Sequence, residues 1–163
     1  MSTPIRVLFV CTGNICRSPT ADSVLRHLIR ERGLEQSLSS DSAGTQAYHE
    51  GEPADKRASA TGERAGFDFS FHKARRVRAE DFEAFDWILA MDQSHLDWLR
   101  EHARPDQKAK LALFLSVLPD PGWTDMPDPY YGGPRGFETV LDLCQKGCEA
   151  WMERWFPHQG KVP

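Results

Sequence analysis

Cys11, Arg17 and Ser18, within the stretch CTGNICRS, combine side-chain types that could attack a phosphate ester. A cysteine thiolate is a soft nucleophile, and a guanidinium offers a planar fork of donors that matches two phosphoryl oxygens. The residues between them, Thr12, Gly13, Asn14, Ile15 and Cys16, are of a length and type to form a tight loop. Folded between a strand and a helix, such a loop aims successive backbone N–H groups and the helix dipole at one anion. Gly13 relieves the turn. The field that attracts a phosphate also favours thiolate over thiol, so Cys11 at the base of the cradle would be aimed at phosphorus. Ser18 could donate a hydrogen bond to the sulfur and help it depart in a later step.

Two other loop chemistries fit less well. A nucleotide-binding loop of the form G-x-x-x-x-G-K-[ST] needs a second glycine and a lysine, and neither is present. A thioredoxin-type site needs C-x-x-C, whereas four residues separate Cys11 from Cys16. A buried structural cysteine beside an ordinary helix cap would account for Cys11 alone. It leaves the combination of Cys, Arg and Ser at one junction unexplained.

The flanking sequence supplies that junction. Ile5–Val10 (IRVLFV) is a β-rich apolar run that reads as a buried strand. From Pro19 the period changes: Ala21, Val24, Leu25, Leu28 and Ile29 recur at helical spacing, and Gly33 gives a stop. Ser18 suits the N-cap, with Pro19 at the first helical position. Further along, Ser37–Ala43 reads as a weaker strand ended by Gly44. Asp55–Ala65 reads as a helix closed by Gly66, Glu80–Phe85 as a short helix, and Trp87–Met91 as a second buried strand. Asp92 can cap a helix over Gln93–Glu101, and Lys110–Leu115 is a possible fourth strand. A loop rich in proline and glycine runs from Pro119 to Gly136. The last helix carries Phe137, Val140, Leu141, Cys144, Cys148, Trp151, Met152 and Trp155 on one face. Strands alternating with helices imply parallel βαβ units, whose ligands sit beyond the carboxyl ends of the strands. The stretch from Cys11 to Ser18 occupies such a place.

Composition narrows the function classes. The 163 residues suit one domain, and 40% hydrophobic with 27% charged residues is globular. A formal net charge of −4 argues against a general nucleic-acid binder. Val7–Val10 is too short for a signal-peptide core, and no stretch could span a bilayer. The four cysteines, Cys11, Cys16, Cys144 and Cys148, lack zinc-site spacing. Reduced thiols, a cytoplasmic location, and neither a nucleic-acid nor a membrane partner are therefore expected.

CTGNICRS, a C-x₅-R-S motif, closely resembles that of the low-molecular-weight protein tyrosine phosphatases. DSAGT (Asp41–Thr45), FDWILAMDQSHL (Phe85–Leu96) and DPYYGG (Asp128–Gly133) resemble further family segments, in the family's order. The resemblance implies one phosphatase domain over residues 1–163: a single-domain, three-layer α/β fold with a four-stranded parallel sheet flanked by helices. The phosphate-binding loop would join strand 1 to helix 1. Cys11 would be the nucleophile, passing through a phosphocysteine intermediate, and Arg17 the clamp. Asp128 would be general acid, then general base; Asp125 and Asp120 share its loop. Asn14 would hold the phosphate loop in a strained turn, supported by Ser18 and Ser42, while His72 and Asp92 buttress it. The cleft for a phosphoaryl ring would be walled by Ile15, Tyr130 and Tyr131, with Tyr48 opposite and Glu50 beside it. Cys16 could protect an oxidised Cys11 as a disulfide. Substrates would be phosphotyrosine proteins or peptides, and phosphate and vanadate would inhibit. No metal or cofactor is implied, and a monomer would suffice.

Neighbouring chemistries remain as alternatives. Phosphoarginine phosphatases resemble this pattern, with Thr where this chain has Ile15. Arsenate reductases on this scaffold need a cysteine pair near mid-chain, and none lies between Val77 and Ala103. A phosphate- or phosphopeptide-binding module without activity would be marked by a lost Cys, Arg or acid, and all three are present. The basic run Lys73, Arg75, Arg76 and Arg78 reads as a solvated face.

Overall fold

A continuous apolar run is what a strand covered on both faces requires, and Val7–Cys11 supplies it within the first strand, β1 (Ile5–Cys11). The computed structural model describes residues 3–119, 124–130, 133 and 135–157. In it β1 pairs in parallel with β2 (Leu38–Gly44) on one side and β3 (Trp87–Ala90) on the other. β4 (Leu111–Leu113) extends the sheet beyond β3, giving the order β2-β1-β3-β4. The helices are α1 (Arg17–Glu31), α2 (Lys56–Arg64), α3 (Asp81–Ala84), α4 (Gln93–His102) and α5 (Arg135–Trp155).

The pleat of β1 divides the core. Val7, Phe9 and Cys11 face a cluster built with α1, α2 and α5, including Leu25, Ala58, Cys144 and Trp151. Leu8 and Val10 face the other side, against Phe82 of α3 and Leu96 and Leu99 of α4. The expected four-stranded parallel sheet between helical layers is thus what the chain forms. The β1–β2 connection runs one way along the sheet, and the next crosses back over β1 to β3. The carboxyl ends of β1 and β3 therefore flank a topological switch point, where open α/β sheets place their ligands.

Two elements differ from the sequence reading. The first helix begins at Arg17, with Cys16 in the cap position and no side-chain cap. Ser18 is not the N-cap, because its hydroxyl is engaged with Cys11 and Asn14, and Pro19 falls in the first turn, where a missing N–H costs nothing. The fourth strand keeps only three paired residues of Lys110–Leu115. Phe114 leaves the ladder in a 3-10 turn, sets its ring edge-on to Phe9 with centroids 5.5 Å apart, and accepts from Trp151 Nε1 at 2.7 Å.

Candidate active site

The loop after β1 spends its carbonyls outward. Cys11 O accepts from Thr45 N (2.9 Å), Thr12 O from Gln46 N (3.0 Å), Asn14 O from His72 Nε2 (2.6 Å) and Ile15 O from Asp55 N (2.8 Å). In a planar trans peptide the next N–H points the opposite way. The amides of Thr12, Gly13, Ile15 and Cys16 are thereby turned away from those partners, and all four residues line the hollow over Cys11, a placement suited to binding an anion. Gly44 makes the close approach possible: a Cβ there would lie 2.5 Å from the Thr12 carbonyl oxygen.

Asn14 holds the curl. It is fully buried at φ +60°, the left-handed region that asparagine tolerates better than most residues. Its Nδ2 donates to Ser18 Oγ (2.8 Å) and Ser42 Oγ (2.9 Å), and its Oδ1 accepts from Arg75 N (3.0 Å). Ser18 Oγ lies 2.9 Å from Cys11 Sγ. When that sulfur is a thiolate it can only accept, so Ser18 then donates to it.

Arg17 is 4% exposed and gripped from behind: Nη1 donates to Asp92 Oδ2 at 2.8 Å and to Met126 O at 3.0 Å. Its Nη2 stands 3.7 Å from Asp128 Oδ2, joining residues far apart in sequence. Burial works against charge on Asp92, but the hydrogen bond from Ser94, the field of His95, and the hydrogen bond and charge of Arg17 outweigh it and hold the carboxyl below its ordinary range. Asp92 also caps α4 in a reciprocal box with His95. Burial, and after it the Arg17 charge, push the His95 imidazole down to about 4. His95 Nδ1 accepts from Asp92 N–H (3.1 Å), so the neutral ring carries its proton on Nε2 and donates to Thr12 Oγ1 (2.8 Å). Burial likewise lowers His72, against the opposing hydrogen bond to Asn14. His72 and Asp92 reach the loop at separate points, one on the Asn14 carbonyl and one on Arg17.

A cavity of about 250 Å³ opens over Cys11, lined by the loop, Arg17, Tyr48, His49, Asp128 and Tyr130. Ile15 contributes an apolar side chain to the lining. Tyr48 is largely exposed at the rim, and Tyr130 is partly exposed. Asp128 is half-exposed, and its Oδ1 accepts from Tyr130 N at 3.0 Å in a tight turn. Asp125 is occupied elsewhere, accepting from Gln93 N at 2.9 Å. Tyr131 and Asp120 lie outside the described residues. Glu50 is exposed and lines a different hollow with Arg75, Arg76, Val77 and Arg78. The cavity position next to Tyr48 belongs instead to His49, whose ring packs over Gly13 and pairs with Glu52 at 2.9 Å. His49 gave no periodic or motif signal. His95 could be read only as a capping partner three residues after Asp92; its contact with Thr12 is made by the fold.

All four cysteines are free and buried. Burial, then the Asp55 charge, push the Cys16 thiol well up; burial does the same for Cys144 and Cys148 in the core. Among the described residues no three His, Cys, Asp or Glu side chains are grouped to hold a metal ion. No helix among them is long and apolar enough to cross a membrane.

Comparison with known proteins gives concordant results. The family model for low molecular weight phosphotyrosine protein phosphatase matches residues 6–158. The chain is 41% identical over 154 residues to the low molecular weight phosphotyrosine protein phosphatase of Gallus gallus, covering 93% of this chain and 95% of that one. A protein tyrosine phosphatase structure from Entamoeba histolytica superposes with a TM-score of 0.89 at 37% identity, covering 97% of this chain and 99% of the other. A Drosophila arginine phosphatase structure superposes at 0.86 with 31% identity, covering 93% and 98%.

Proposed function

Given that the chain belongs to the low molecular weight phosphotyrosine protein phosphatase family, we propose that it hydrolyses phosphotyrosine in proteins and peptides with Cys11 as nucleophile, Arg17 as clamp and Asp128 as proton donor and acceptor. The observation that carries this reading is the convergence of Cys11, Arg17 and Asp128 on one cavity lined by the loop after β1. The whole chain acts as one phosphatase domain.

The reaction has two displacements. Cys11 thiolate attacks phosphorus, the bond from phosphorus to the phenolic oxygen breaks, and Asp128 gives its proton to the leaving oxygen. Phosphate is then held on Cys11. Water attacks phosphorus, Asp128 takes its proton, the sulfur–phosphorus bond breaks, and inorganic phosphate leaves. Because Arg17 Nη1 faces Asp92 and Met126, its Nε/Nη2 edge is the fork that meets the phosphoryl oxygens. The loop amides stabilise charge on the same oxygens through both steps. Ser18 stabilises the departing sulfur of the second step. Asn14 and Ser42 keep the loop in its curled form, His72 fixes the Asn14 carbonyl, and Asp92 aims Arg17.

Phosphate and vanadate, which match the cradle, compete with substrate. The steps draw on no metal or organic cofactor. Free thiols fit a reducing, cytoplasmic setting and a monomer suffices, since every proposed group comes from one chain. Cys16, next to the cradle, is the partner for reversible oxidation of Cys11.

Phosphoarginine is the second reading, favoured by the similarity to the Drosophila arginine phosphatase. Ile15 argues for the aryl ester, because its apolar side chain with Tyr48 and Tyr130 suits a flat ring better than a guanidinium. The test is kcat/KM for matched phosphotyrosine, phosphoserine and phosphoarginine peptides in EDTA, with Ile15→Thr alongside. Preference for phosphotyrosine, shifted toward phosphoarginine by Ile15→Thr, supports the reading; native preference for phosphoarginine overturns it. Absence of any turnover would leave the chain as a phosphopeptide-binding module.

A further inference from the structure

Asp128 sits on a loop outside the sheet and helices, so something must bring it to the phosphate loop. Arg57, in the first turn of α2, touches the Asp128 loop directly and reaches the phosphate loop through Asp55. Its Nη1 donates to Tyr130 O at 3.3 Å, and its guanidinium lies 5.2 Å from the Tyr130 ring centroid and 4.7 Å from that of Phe137, a buried residue of α5. The opposite edge of the guanidinium is held by Asp55, through Nε at 3.2 Å and Nη2 at 3.0 Å. Asp55 is in turn fastened to the phosphate loop, its N–H donating to Ile15 O at 2.8 Å. On the other side Tyr130 N donates to Asp128 Oδ1. An unbroken run of direct contacts thus leads from the Ile15 peptide through Asp55, Arg57 and Tyr130 to the Asp128 carboxyl.

We propose that Arg57 is a latch that holds the Asp128 loop against α2 and sets the carboxyl over the cavity. Arg57 lines none of the cavity over Cys11, so it is a positioning residue, and its role rests on Asp128 being the proton donor. Its contacts are of the kinds that are individually weak at exposed sites: a cation over ring faces, a surface ion pair and one long hydrogen bond. A latch of this kind holds the loop without locking it, so the loop can release for substrate entry and phosphate exit. The guanidinium is suited because one planar group serves a carboxylate with one edge and two rings with its face.

The test is single-turnover phosphoryl transfer from phosphotyrosine and from nitrophenyl phosphate, whose phenoxide leaves readily without a proton. Wild type, Arg57→Ala, Arg57→Lys, Asp128→Ala and the double alanine variant are compared. Full loss of a general acid costs about 10²–10⁴-fold, and a misplaced one should cost roughly tenfold. Arg57→Ala is expected to slow phosphotyrosine about tenfold and nitrophenyl phosphate much less. Arg57→Lys should recover part of the rate, because the ammonium can still sit over the rings. In the Asp128→Ala background Arg57→Ala should add nothing. The Ki for inorganic phosphate reports the intact cradle and should stay unchanged, since Asp55 caps α2 through the backbone N–H groups of residues 57 and 58. Equal slowing of both substrates, or a full Arg57→Ala effect without Asp128, overturns the latch. If Asp128→Ala itself shows no dependence on the leaving group, the acid assignment fails, and the latch falls with it for that separate reason.

Discussion

His95 Nε2 lies 2.8 Å from Oγ1 of Thr12, the residue after Cys11, while its Nδ1 takes the Asp92 N–H at 3.1 Å. One neutral imidazole thereby ties the phosphate loop to the cap of α4 and to the carboxylate behind Arg17. Both ring nitrogens are used, and a proton added to Nδ1 would remove the acceptor that Asp92 N–H needs.

Stability should therefore fall with acid. His95 is 2% exposed and its folded value, about 4, lies below the ordinary imidazole value near 6.5. Between these two the unfolded chain binds a proton that the folded one refuses, so stability is complete above about 6.5 and declines as pH drops toward 4. His72, also lowered, acts in the same direction. The His95 contribution is on the order of 3 kcal/mol. Urea unfolding midpoints at several pH values check this. In His95→Asn, whose amide oxygen can still accept the Asp92 N–H, the acid decline should be visibly shallower; superimposable declines would contradict the assignment.

Asn14 should show a backbone and a side-chain effect that can be separated. Asn14→Gly keeps easy access to φ +60° but loses the bonds to Ser18, Ser42 and Arg75. Asn14→Ala loses both, and a left-handed residue costs roughly 1–2 kcal/mol without glycine. The alanine variant should therefore unfold at lower urea than the glycine variant, and both should have weaker phosphate inhibition than wild type. Equal stabilities would mean that the turn strain is relieved by local rearrangement.

The sheet was legible because Val7–Cys11 of β1 is an unbroken apolar run and α5 repeats Phe137, Val140, Leu141 and Cys144 on one face. Element ends were less so. Ser18 has the chemistry of an N-cap, yet the fold spends its hydroxyl on Cys11 and Asn14. Phe114 has the composition of a strand residue, yet it turns out of the ladder to pack on Phe9.

In the site, Cys11, Arg17 and Ser18 could be read because they are neighbours in sequence and their types suffice to suggest phosphate chemistry. Asp128 needed a family resemblance, since only the fold brings it within 3.7 Å of Arg17 across a long separation. His49, Arg57 and the second role of His95 were invisible to periodicity. A histidine in a polar loop and an arginine in a solvated helix turn look the same whether or not they meet a cavity wall.

Oxidation should proceed in two resolved stages. Peroxide converts Cys11 thiolate to sulfenic acid, and Cys16 sulfur then displaces hydroxide to form a disulfide, releasing water overall. Burial and the Asp55 charge keep Cys16 a thiol, so disulfide closure should lag sulfenic-acid formation at neutral pH and quicken as pH rises. Mass spectrometry of quenched samples should show a Cys11–Cys16 disulfide, with activity regained in dithiothreitol. Recovery of Cys16→Ser equal to wild type would remove the protective role.

The most direct test of the central claim is to trap the phosphoenzyme. Wild type mixed rapidly with an excess of nitrophenyl phosphate and quenched within the first turnover should carry one phosphoryl group, and tandem mass spectrometry under conditions that preserve phosphothioesters should place it on Cys11. Cys11→Ser should give no turnover while still binding vanadate, because the amides and Arg17 remain. A phosphoryl group on any other residue, or rapid hydrolysis by Cys11→Ser, would contradict the account.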